Sequence, residues 1–372
     1  MEMLRLENEG KPDMAQRGKF DGSKVFVTCD SDGFEGAKRI LEASGARGLF
    51  RPGMKVALKP NLVVEKPASS GATTSPKVVA GTIEFLQDNG VTDITIMESA
   101  WAGASTERAW KVCGYRELEK KYGVRLLDLK KDRTTSVSVA GMKIEVCVSP
   151  LEVDLLVNMP VLKGHCQTVM TCALKNLKGC IPDSEKRRFH SIGLHRPIAA
   201  LNLAIRPDFI LVDALCGDIN FEEGGNPIEM NLLLAGSDPV KIDAYGASLM
   251  SIPLSEIEHL RFAEEMGIGV SEVQSVVQVG GGKVSARPSA LPSAVRHLAQ
   301  YVEARDACSV CYAGLIHSLY RLEEQGKLRG LKGKIHIGQG FKGVNGKGIG
   351  YGDCAGGFEA VTPGCAPRGL FL

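Results

Sequence analysis

The sequence lacks the features that mark several large classes of protein. Its 45 basic residues nearly balance its 43 acidic residues, which leaves a formal net charge of only +2. A charge this small gives no whole-molecule field that would recruit nucleic acid or an anionic membrane. We find no basic stripe with interleaved aromatic residues, no internal repeat and no low-complexity tract. We therefore expect no nucleic-acid partner and no membrane partner, and basic groups matter only locally.

Long apolar segments are also missing. The first twenty residues mix charges and contain no apolar core of a signal peptide. No apolar run approaches the roughly 20 residues that cross a bilayer. The cysteines number eleven, and in a cytoplasmic protein they indicate thiolate ligands or reduced core thiols rather than disulfides. Cys166, Cys172 and Cys180 do not share one helical face, so core packing is expected for them. We expect a cytoplasmic protein from an anaerobic or reducing setting.

What is present is a series of short apolar runs that alternate with helical segments. Ser75 followed by Pro76 predicts a helix start, because serine caps exposed amides and proline loses no hydrogen bond at the first helical position. The alternation predicts an α/β fold with a mostly parallel sheet and helices on both faces. The segments predicted as strands of this sheet are 24–29, 55–63, 93–97, 125–129, 155–157, 208–212 and 232–234.

Three further local patterns carry predictions. Residues 106–122 are expected to form one helix. The polar alternation over 135–148, broken at Gly141, predicts a hairpin at the edge of the sheet. Ser255, followed three residues later by Glu258, matches a capping box at the start of a helix.

Composition divides the chain into four parts. A polar leader over 1–23 precedes an α/β core domain over 24–282. The segment 283–294 is rich in Pro, Ser and Ala and predicts a linker. A smaller C-terminal module over 295–372 follows it, and this module contains the cysteines discussed below.

Residues 154–196, here called the basic segment, combine many bases with few acids. Pro160 and Pro182 bracket its Lys163, His165, Lys175 and Lys178, and His190 follows. A surface helix would interleave both charge signs, so this composition predicts an anion site. We expect Lys163, Lys175 and Lys178 to bind an anionic group. His165 and His190 are expected to move protons, since imidazole titrates near neutral pH, and Lys175 is grouped with them as catalytic.

Polar residues also follow the predicted strands directly. Asn61, Glu98 and Asp213 all lie at such positions. In parallel sheets ligands bind outside the carboxyl ends of the strands, where helix N-termini converge. We expect these three side chains to help bind the substrate, although each can equally cap the next helix.

The C-terminal module holds four cysteines in the pattern of a metal centre. Cys308 and Cys311 form a C-x-x-C pair, and Cys354 and Cys365 follow in glycine-rich turns. Four thiolates predict an iron-sulfur cluster, most simply [4Fe-4S]; a structural zinc or non-ligating cysteines are the alternatives. Zinc ribbons usually use two C-x-x-C pairs, and only one is present. The spacing therefore favours the cluster.

Five phrases of the sequence resemble domain-of-unknown-function family three-six-two (DUF362). They are KVALKPNLV, LVNMPVLKGH, CALKNLKGCIPD, RPDFILVDA and LLAGSDPVKIDAYGA. The resemblance covers nearly the whole chain but implies no particular reaction. It does imply an iron-sulfur protein, with the ligand role on Cys308, Cys311, Cys354 and Cys365. The run of closely spaced cysteines that some relatives carry is absent here.

Together these expectations describe an iron-sulfur oxidoreductase that acts on a small anionic molecule. Such an oxidoreductase can also have a redox partner protein and can form a homodimer. One alternative is a non-enzymatic electron carrier or maturation partner, in which the lysines would face outward. Another is a nickel-pincer enzyme, because the order His165, Lys175, His190 resembles that of the lactate racemase family, with Lys175 as the cofactor tether. The chain departs from the glycine-rich motif of that family.

Overall fold

The computed structural model describes residues 21–282, 284 and 292–367. Its strands are β1 (Val25–Cys29), β2 (Lys55–Pro60), β3 (Asp93–Glu98), β4 (Arg125–Asp128), β5 (Thr134–Val139), β6 (Met142–Cys147), β7 (Leu155–Met159), β8 (Lys163–His165), β9 (Val169–Thr171), β10 (Phe209–Asp218), β11 (Pro227–Gly236), β12 (Val276–Val279), β13 (Val302–Ala304), β14 (Ile335–Ile337), β15 (Gly346–Tyr351) and β16 (Phe358–Thr362). Its α-helices are α1 (Gly33–Ala43), α2 (Pro76–Asp88), α3 (Thr106–Val112), α4 (Tyr115–Tyr122), α5 (Ala173–Asn176), α6 (Asp183–Ile192), α7 (His195–Ala204), α8 (Pro239–Leu249), α9 (Glu258–Glu265) and α10 (Ser309–Glu324).

Eight strands form the main sheet, in the order β12-β1-β11-β10-β7-β2-β3-β4. Within it, β11 runs antiparallel to both of its neighbours, and the other adjacent pairs are parallel. All seven segments predicted as strands lie in this sheet. The prediction of an α/β fold with a mostly parallel sheet is confirmed.

Side chains alternate between two hydrophobic cores, one on each face of the sheet. Along β2, Ala57 packs in one core, whereas Val56 and Leu58 pack in the other. Helices α5, α7, α8 and α9 cover the first face, and α1, α2 and α4 cover the second. Cys172 and Cys180 are fully buried in the first core. The parallel strands are therefore buried on both faces, as such sheets require.

Two of the local predictions were wrong. Residues 106–122 form two helices, because Gly114 adopts a left-handed φ of 80° between them and breaks the helical path. Ser255 is not a helix cap: it lies in the 3-10 turn Leu254–Glu256. Helix α9 begins only at Glu258, with Ile257 at its N-cap and no capping side chain. Sequence spacing alone does not reveal this intervening turn.

Two other local predictions were correct. Ser75 caps α2, since its hydroxyl oxygen accepts the Lys77 N–H at 3.3 Å. The hairpin is confirmed as β5 and β6, joined through Gly141 with a φ of 74°. These strands form a separate two-stranded sheet, so the hairpin does not extend the edge of the main sheet.

A second parallel sheet lies in the C-terminal part, with strand order β13-β14-β15-β16. Its core is shared with α10 and also contains Cys166 and Phe221 from the larger part of the chain. The Phe221 ring stacks on His317 of α10, with 4.7 Å between ring centroids. The second sheet and α10 are therefore packed directly against the loop after β10 and the β8–β9 hairpin.

The predicted division into four parts stays a prediction. Residues 1–20 of the leader and most of the linker, residues 283 and 285–291, lie outside the described residues. In the part of the chain that is described, no helix combines the length and the apolar character needed to cross a membrane.

His259 is a fully buried histidine near the N-terminal end of α9. Among the described residues neither ring nitrogen has a hydrogen-bond partner, and the ring stacks on His195 at 5.9 Å between centroids. Burial, followed by the charge of His195, lowers the pKa of His259 well below its usual value of 6.5. The unfolded chain therefore binds this proton more readily than the folded one. The stability contributed by neutral His259 is complete above pH 6.5 and is lost as the pH falls below it.

We expect His259→Leu to reduce the loss of stability on acidification. A single such proton changes the free energy of unfolding by up to about 1.4 kcal/mol per pH unit. Urea unfolding at pH 7.5 and pH 5.5 measures the difference for each protein. The control is His297→Gln, which removes a histidine that is 44% exposed and should therefore change this difference less than His259→Leu does. An unchanged pH dependence in His259→Leu would contradict the prediction.

Candidate functional site

A cleft lies at the carboxyl ends of the central parallel strands. Lys59 at the end of β2, Glu98 at the end of β3 and Glu222 in the loop after β10 form part of its wall. The space between its walls, including some open solvent, is ≈ 370 Å³. The other lining residues are Asn61, Val63, Ser99, Trp101, Lys175, Asn176, Lys178, Gly179 and Lys186.

Lysines outnumber carboxylates in and around this cleft. Lys59 forms an ion pair with Glu98, and Lys175 forms one with Glu222; all four side chains are buried. A third carboxylate, Asp183, is shared by Lys186 and Lys130 at 3.2 and 2.9 Å. Lys178 has no carboxylate partner among the described residues. Because buried positive charge without a counter-ion is unfavourable, this arrangement favours binding of an anion.

Two of the cleft lysines keep N–H groups that a ligand can use. Lys59 and Lys186 each donate to at least three oxygens, which occupies every N–H of an ammonium group. Within the described ranges, Lys175 bonds to Glu222 and Lys178 bonds to His190 Nε2 at 3.3 Å. Lys175 and Lys178 are therefore the lysines that can grip an anion in the cleft.

The Glu222 carboxylate is the centre of a buried hydrogen-bond network. It accepts from Lys175 Nζ, from Trp101 Nε1 at 3.1 Å and from Thr171 Oγ1 at 3.5 Å. It also faces His165 Nε2 at 3.2 Å. Burial alone would raise the pKa of Glu222, but Lys175 and then His165 outweigh it and hold the pKa well below 4.5. Glu222 is therefore a permanent anion that fixes Lys175 and His165.

His165 is held in one tautomer. Its Nδ1 accepts the backbone N–H groups of Gln167 at 3.0 Å and Thr168 at 3.1 Å. The proton of the neutral ring must therefore lie on Nε2, where it points at Glu222. Burial, followed by the charge of Lys175, lowers the pKa of His165 to about 4. Both ring nitrogens are thus occupied, and the ring is neutral at physiological pH.

Lys178 and His190 form a second polar pair, and both are partly buried. Burial, followed by the charge of Lys175, lowers the pKa of Lys178 to about 7. Burial and then the charge of Lys178 hold the pKa of His190 well below 6.5. His190 is therefore neutral near pH 7, and the Lys178 amine gains or loses its proton there.

Lys163 lies one layer below the cleft and is fully buried. Its ammonium donates to Asn61 Oδ1 at 3.0 Å, to the carbonyl oxygen of Glu222 at 2.8 Å and to that of Ala72. Three acceptors use all of its donors. Asn61 lines the cleft, but its side-chain amide donates to Asn176 Oδ1 at 2.8 Å. Both predicted binding residues are thus tied into the surrounding fold.

Glu98 and Asp213 occupy different places. Glu98 lines the cleft, where it pairs with Lys59. Asp213 instead accepts the backbone N–H groups of Ser75 at 2.7 Å and Leu215 at 2.9 Å, so it fixes the start of α2. The sequence left open whether such residues bind a ligand or cap a helix, and the geometry of Asp213 matches capping.

Sequence reasoning missed Glu222, Lys59, Lys186 and Trp101. Lys59 had a usable signal, because it lies in the predicted strand 55–63 only two residues before Asn61. Glu222 had none: it stands beside Glu223 in an acidic, glycine-rich loop that gives no sign of a buried side chain. Its partners, Lys175, Trp101 and His165, are all far away in the chain.

The four predicted cluster cysteines lie at the carboxyl-end edge of the second sheet. Cys308 and Cys311 sit at the start of α10 after β13, Cys354 follows β15 and Cys365 follows β16. Burial raises the pKa of Cys311 to about 12, and the three other thiols add to that rise, so the four are electrostatic neighbours. Among the described residues, no group of three or more His, Cys, Asp or Glu is arranged to hold a metal ion. The ligand assignment stays a prediction.

Helix α10 places this cysteine edge beside the cleft. Val310, between the first two cysteines, faces Gly103: a Cβ on Gly103 would lie 3.4 Å from Val310 Cγ1. Gly103 is two residues from Trp101, which lines the cleft. Cys166 of the basic segment shares a hydrophobic core with Tyr312 of α10. The thiols and the lysines therefore belong to neighbouring parts of one packed structure.

Comparison with known proteins gives a family match and two similarities. The model of the family described as "Domain of unknown function (DUF362)" matches residues 56–248, which include every cleft residue but none of the four cysteines. A thylakoid-associated protein, sll1697 of Synechocystis sp. (strain ATCC 27184 / PCC 6803 / Kazusa), is 26% identical over 239 residues, 62% of this chain and 74% of that protein. The lactate racemase apoprotein of Thermoanaerobacterium thermosaccharolyticum aligns with a TM-score of 0.37 and 14% identity, over 64% of this chain and 56% of the racemase.

Proposed function

This chain belongs to the DUF362 family, and we propose that it is an iron-sulfur oxidoreductase that binds a small anionic substrate in the lysine cleft. The observation that carries the proposal is the pair Lys175 and Lys178, which keep unused N–H groups in a cleft whose lysines outnumber its carboxylates. These two lysines bind the anion. His190, next to Lys178, transfers a proton to or from the bound substrate.

The geometry supports a different role for the other residues of the basic segment. His165 orients Glu222 through Nε2 and has no ring nitrogen left for proton transfer. Lys163 and Asn61 hold the wall of the cleft from below. We therefore assign positioning roles to these three residues in place of direct contact with substrate.

Cys308, Cys311, Cys354 and Cys365 have the donor chemistry of a cluster site, which would supply one-electron transfer. A tetrahedral zinc with Zn–S bonds of about 2.3 Å needs its sulfurs about 3.8 Å apart. In a cluster each thiolate binds a different iron, so the sulfurs lie farther from one another. Cys308, Cys354 and Cys365 all raise the pKa of the Cys311 thiol, so the four thiols lie near one another, which supports one shared site.

A non-enzymatic electron carrier is the alternative. The cysteine edge favours it in one respect, because Cys365 is exposed and the other three thiols are partly exposed, so a redox partner protein could approach. A carrier, however, has no need of an enclosed basic cleft. Lys163 is fully buried and Lys175 is only 3% exposed, which supports the enzyme. A redox partner and a homodimer remain proposals.

Anaerobic purification followed by iron, acid-labile sulfide and electron paramagnetic resonance measurements tests the cluster. We expect iron and sulfide in the wild-type protein and a large loss of both in Cys354→Ser, which removes one of four ligands. Cys216 is a partly exposed cysteine outside the group, so Cys216→Ser is the matched control and should keep both. Stoichiometric zinc without sulfide would refute the redox proposal.

A further inference from the structure

Lys178 differs from the other lysines of the cleft, and we propose that its amine is a nucleophile that forms an imine with the carbonyl group of a small 2-oxo acid. This inference rests on the proposed anion cleft, because the carboxylate of the 2-oxo acid binds there. It adds a covalent step and a substrate class to that function.

The partner of Lys178 is suited to a neutral amine. Lys59, Lys175 and Lys186 are each bound to a carboxylate, which stabilises the charged ammonium. Lys178 instead faces the ring nitrogen Nε2 of His190, and the nearby charges of Lys175 and Lys186 disfavour an ammonium at this position. Desolvation beside other cations is the usual means by which proteins activate a lysine amine.

Lys175 is placed to hold the other end of a 2-oxo acid. Lys175 lies in α5, and Lys178 lies three residues later in the 3-10 turn Leu177–Cys180. This spacing puts both side chains on one side of the helical segment, and both line the cleft. In a 2-oxo acid the carboxylate is bonded directly to the carbonyl carbon. One molecule of only a few atoms therefore bridges the two lysines.

The reaction balances without an oxidant or a reductant. The Lys178 lone pair attacks the carbonyl carbon and forms the C–N bond of a carbinolamine. His190 Nε2, which lies 3.3 Å from Lys178 Nζ, accepts a proton from the amine. His190 passes that proton to the alkoxide oxygen left by the broken C=O π bond, which becomes the hydroxyl group of the carbinolamine. A second amine proton follows the same route, and the hydroxyl group leaves as water when the C=N bond forms. His190 is thus returned to its neutral state.

Reductive trapping tests the imine. The purified protein is incubated with pyruvate and sodium borohydride, and the site of labelling is located by mass spectrometry of peptides. We expect one reduced pyruvate adduct on Lys178, already formed at neutral pH. Lys178→Arg keeps a positive charge but lacks a nucleophilic amine, so labelling should be lost. Lys120→Arg, on the exposed face of α4, is the matched control and should label like the wild type.

Calorimetric titration with lactate, which has the carboxylate but no carbonyl group, separates this inference from the anion cleft. If lactate and pyruvate bind and no adduct is trapped, the imine is refuted and the cleft proposal stands. If neither binds and none is trapped, both proposals fail. Labelling that persists in Lys178→Arg, or that spreads evenly over exposed lysines, also overturns the imine. Peptide mapping of the wild type decides the question even if Lys178→Arg does not fold.

Discussion

Replacing Glu222 by alanine is expected to lower the free energy of unfolding by about 3–5 kcal/mol, the loss typical of removing one partner from a buried ion pair. The substitution leaves the Lys175 ammonium without its carboxylate and removes the acceptor of the Trp101 and His165 N–H groups. The walls of the cleft depend on these contacts. Lactate binding should therefore weaken together with stability.

Urea unfolding at pH 7 measures this effect, and Glu223→Ala is the matched control. Glu223 is the adjacent acid, but its Oε1 lies 3.8 Å from His317 Nδ1, beyond hydrogen-bond distance, so a much smaller loss is expected. Replacing both partners, Glu222→Leu with Lys175→Met, should recover part of the stability, because an apolar pair leaves no buried charge. A loss in Glu222→Ala no larger than in Glu223→Ala would show that the network does not stabilise the fold.

The acid branch of the stability curve gives a second readout for Glu222. Its folded pKa is held well below 4.5, so its contribution is complete above the unfolded pKa and is lost as the pH falls below it. Glu222→Ala should therefore flatten the decline below about pH 4.3, the ordinary pKa of a glutamate. A purely steric effect of the substitution would leave that decline unchanged.

Gly179→Ala is expected to be equally damaging, with a loss of at least about 3 kcal/mol. A Cβ at position 179 would run into Glu98 Oε1 and lie 2.5 Å from Lys59 Nζ. The added methyl group therefore forces the side-chain ends of a buried ion pair to shift. Overpacking alone costs about 1–3 kcal/mol, and displacement of the paired charges adds to it.

Thermal unfolding compares Gly179→Ala with Gly330→Ala. At Gly330 an added Cβ would have no atom of the described residues within 4 Å, so the substitution should be close to neutral. We also expect Gly179→Ala to lose lactate binding, since Lys59, Glu98 and Gly179 all line the cleft. If Gly179→Ala were as stable as Gly330→Ala, the Lys59–Glu98 ion pair would be shown to shift without loss of stability.

The features that could be predicted depend on neighbours within a few residues. The start of α2 follows from Ser75 and Pro76 because a cap acts on amides of the same turn. The strands of the main sheet could be predicted from short apolar runs, because such a run is also a property of a few neighbouring residues. Prediction failed for the helix over 106–122, where a single glycine, Gly114, changes the backbone direction.

The candidate site was predicted in part. The rule that ligands bind at the carboxyl ends of parallel strands selected Asn61 and Glu98, which line the cleft, and also Asp213, which binds backbone amides. Lys175 and Lys178 were found because the basic segment concentrates them locally. The roles of these residues depend on partners that the segment itself does not contain.

By itself, the sequence determined the α/β sheet, the basic segment and the set of thiols, because periodicity, capping and composition are local properties. Only the tertiary structure decided which lysines keep N–H groups for an anion. Lys175 meets its carboxylate 47 residues away, and Asn61 meets Asn176 across 115 residues. Burial then changes the chemistry of each group, since the energy of a charge depends on the atoms packed around it and not on its neighbours in the chain.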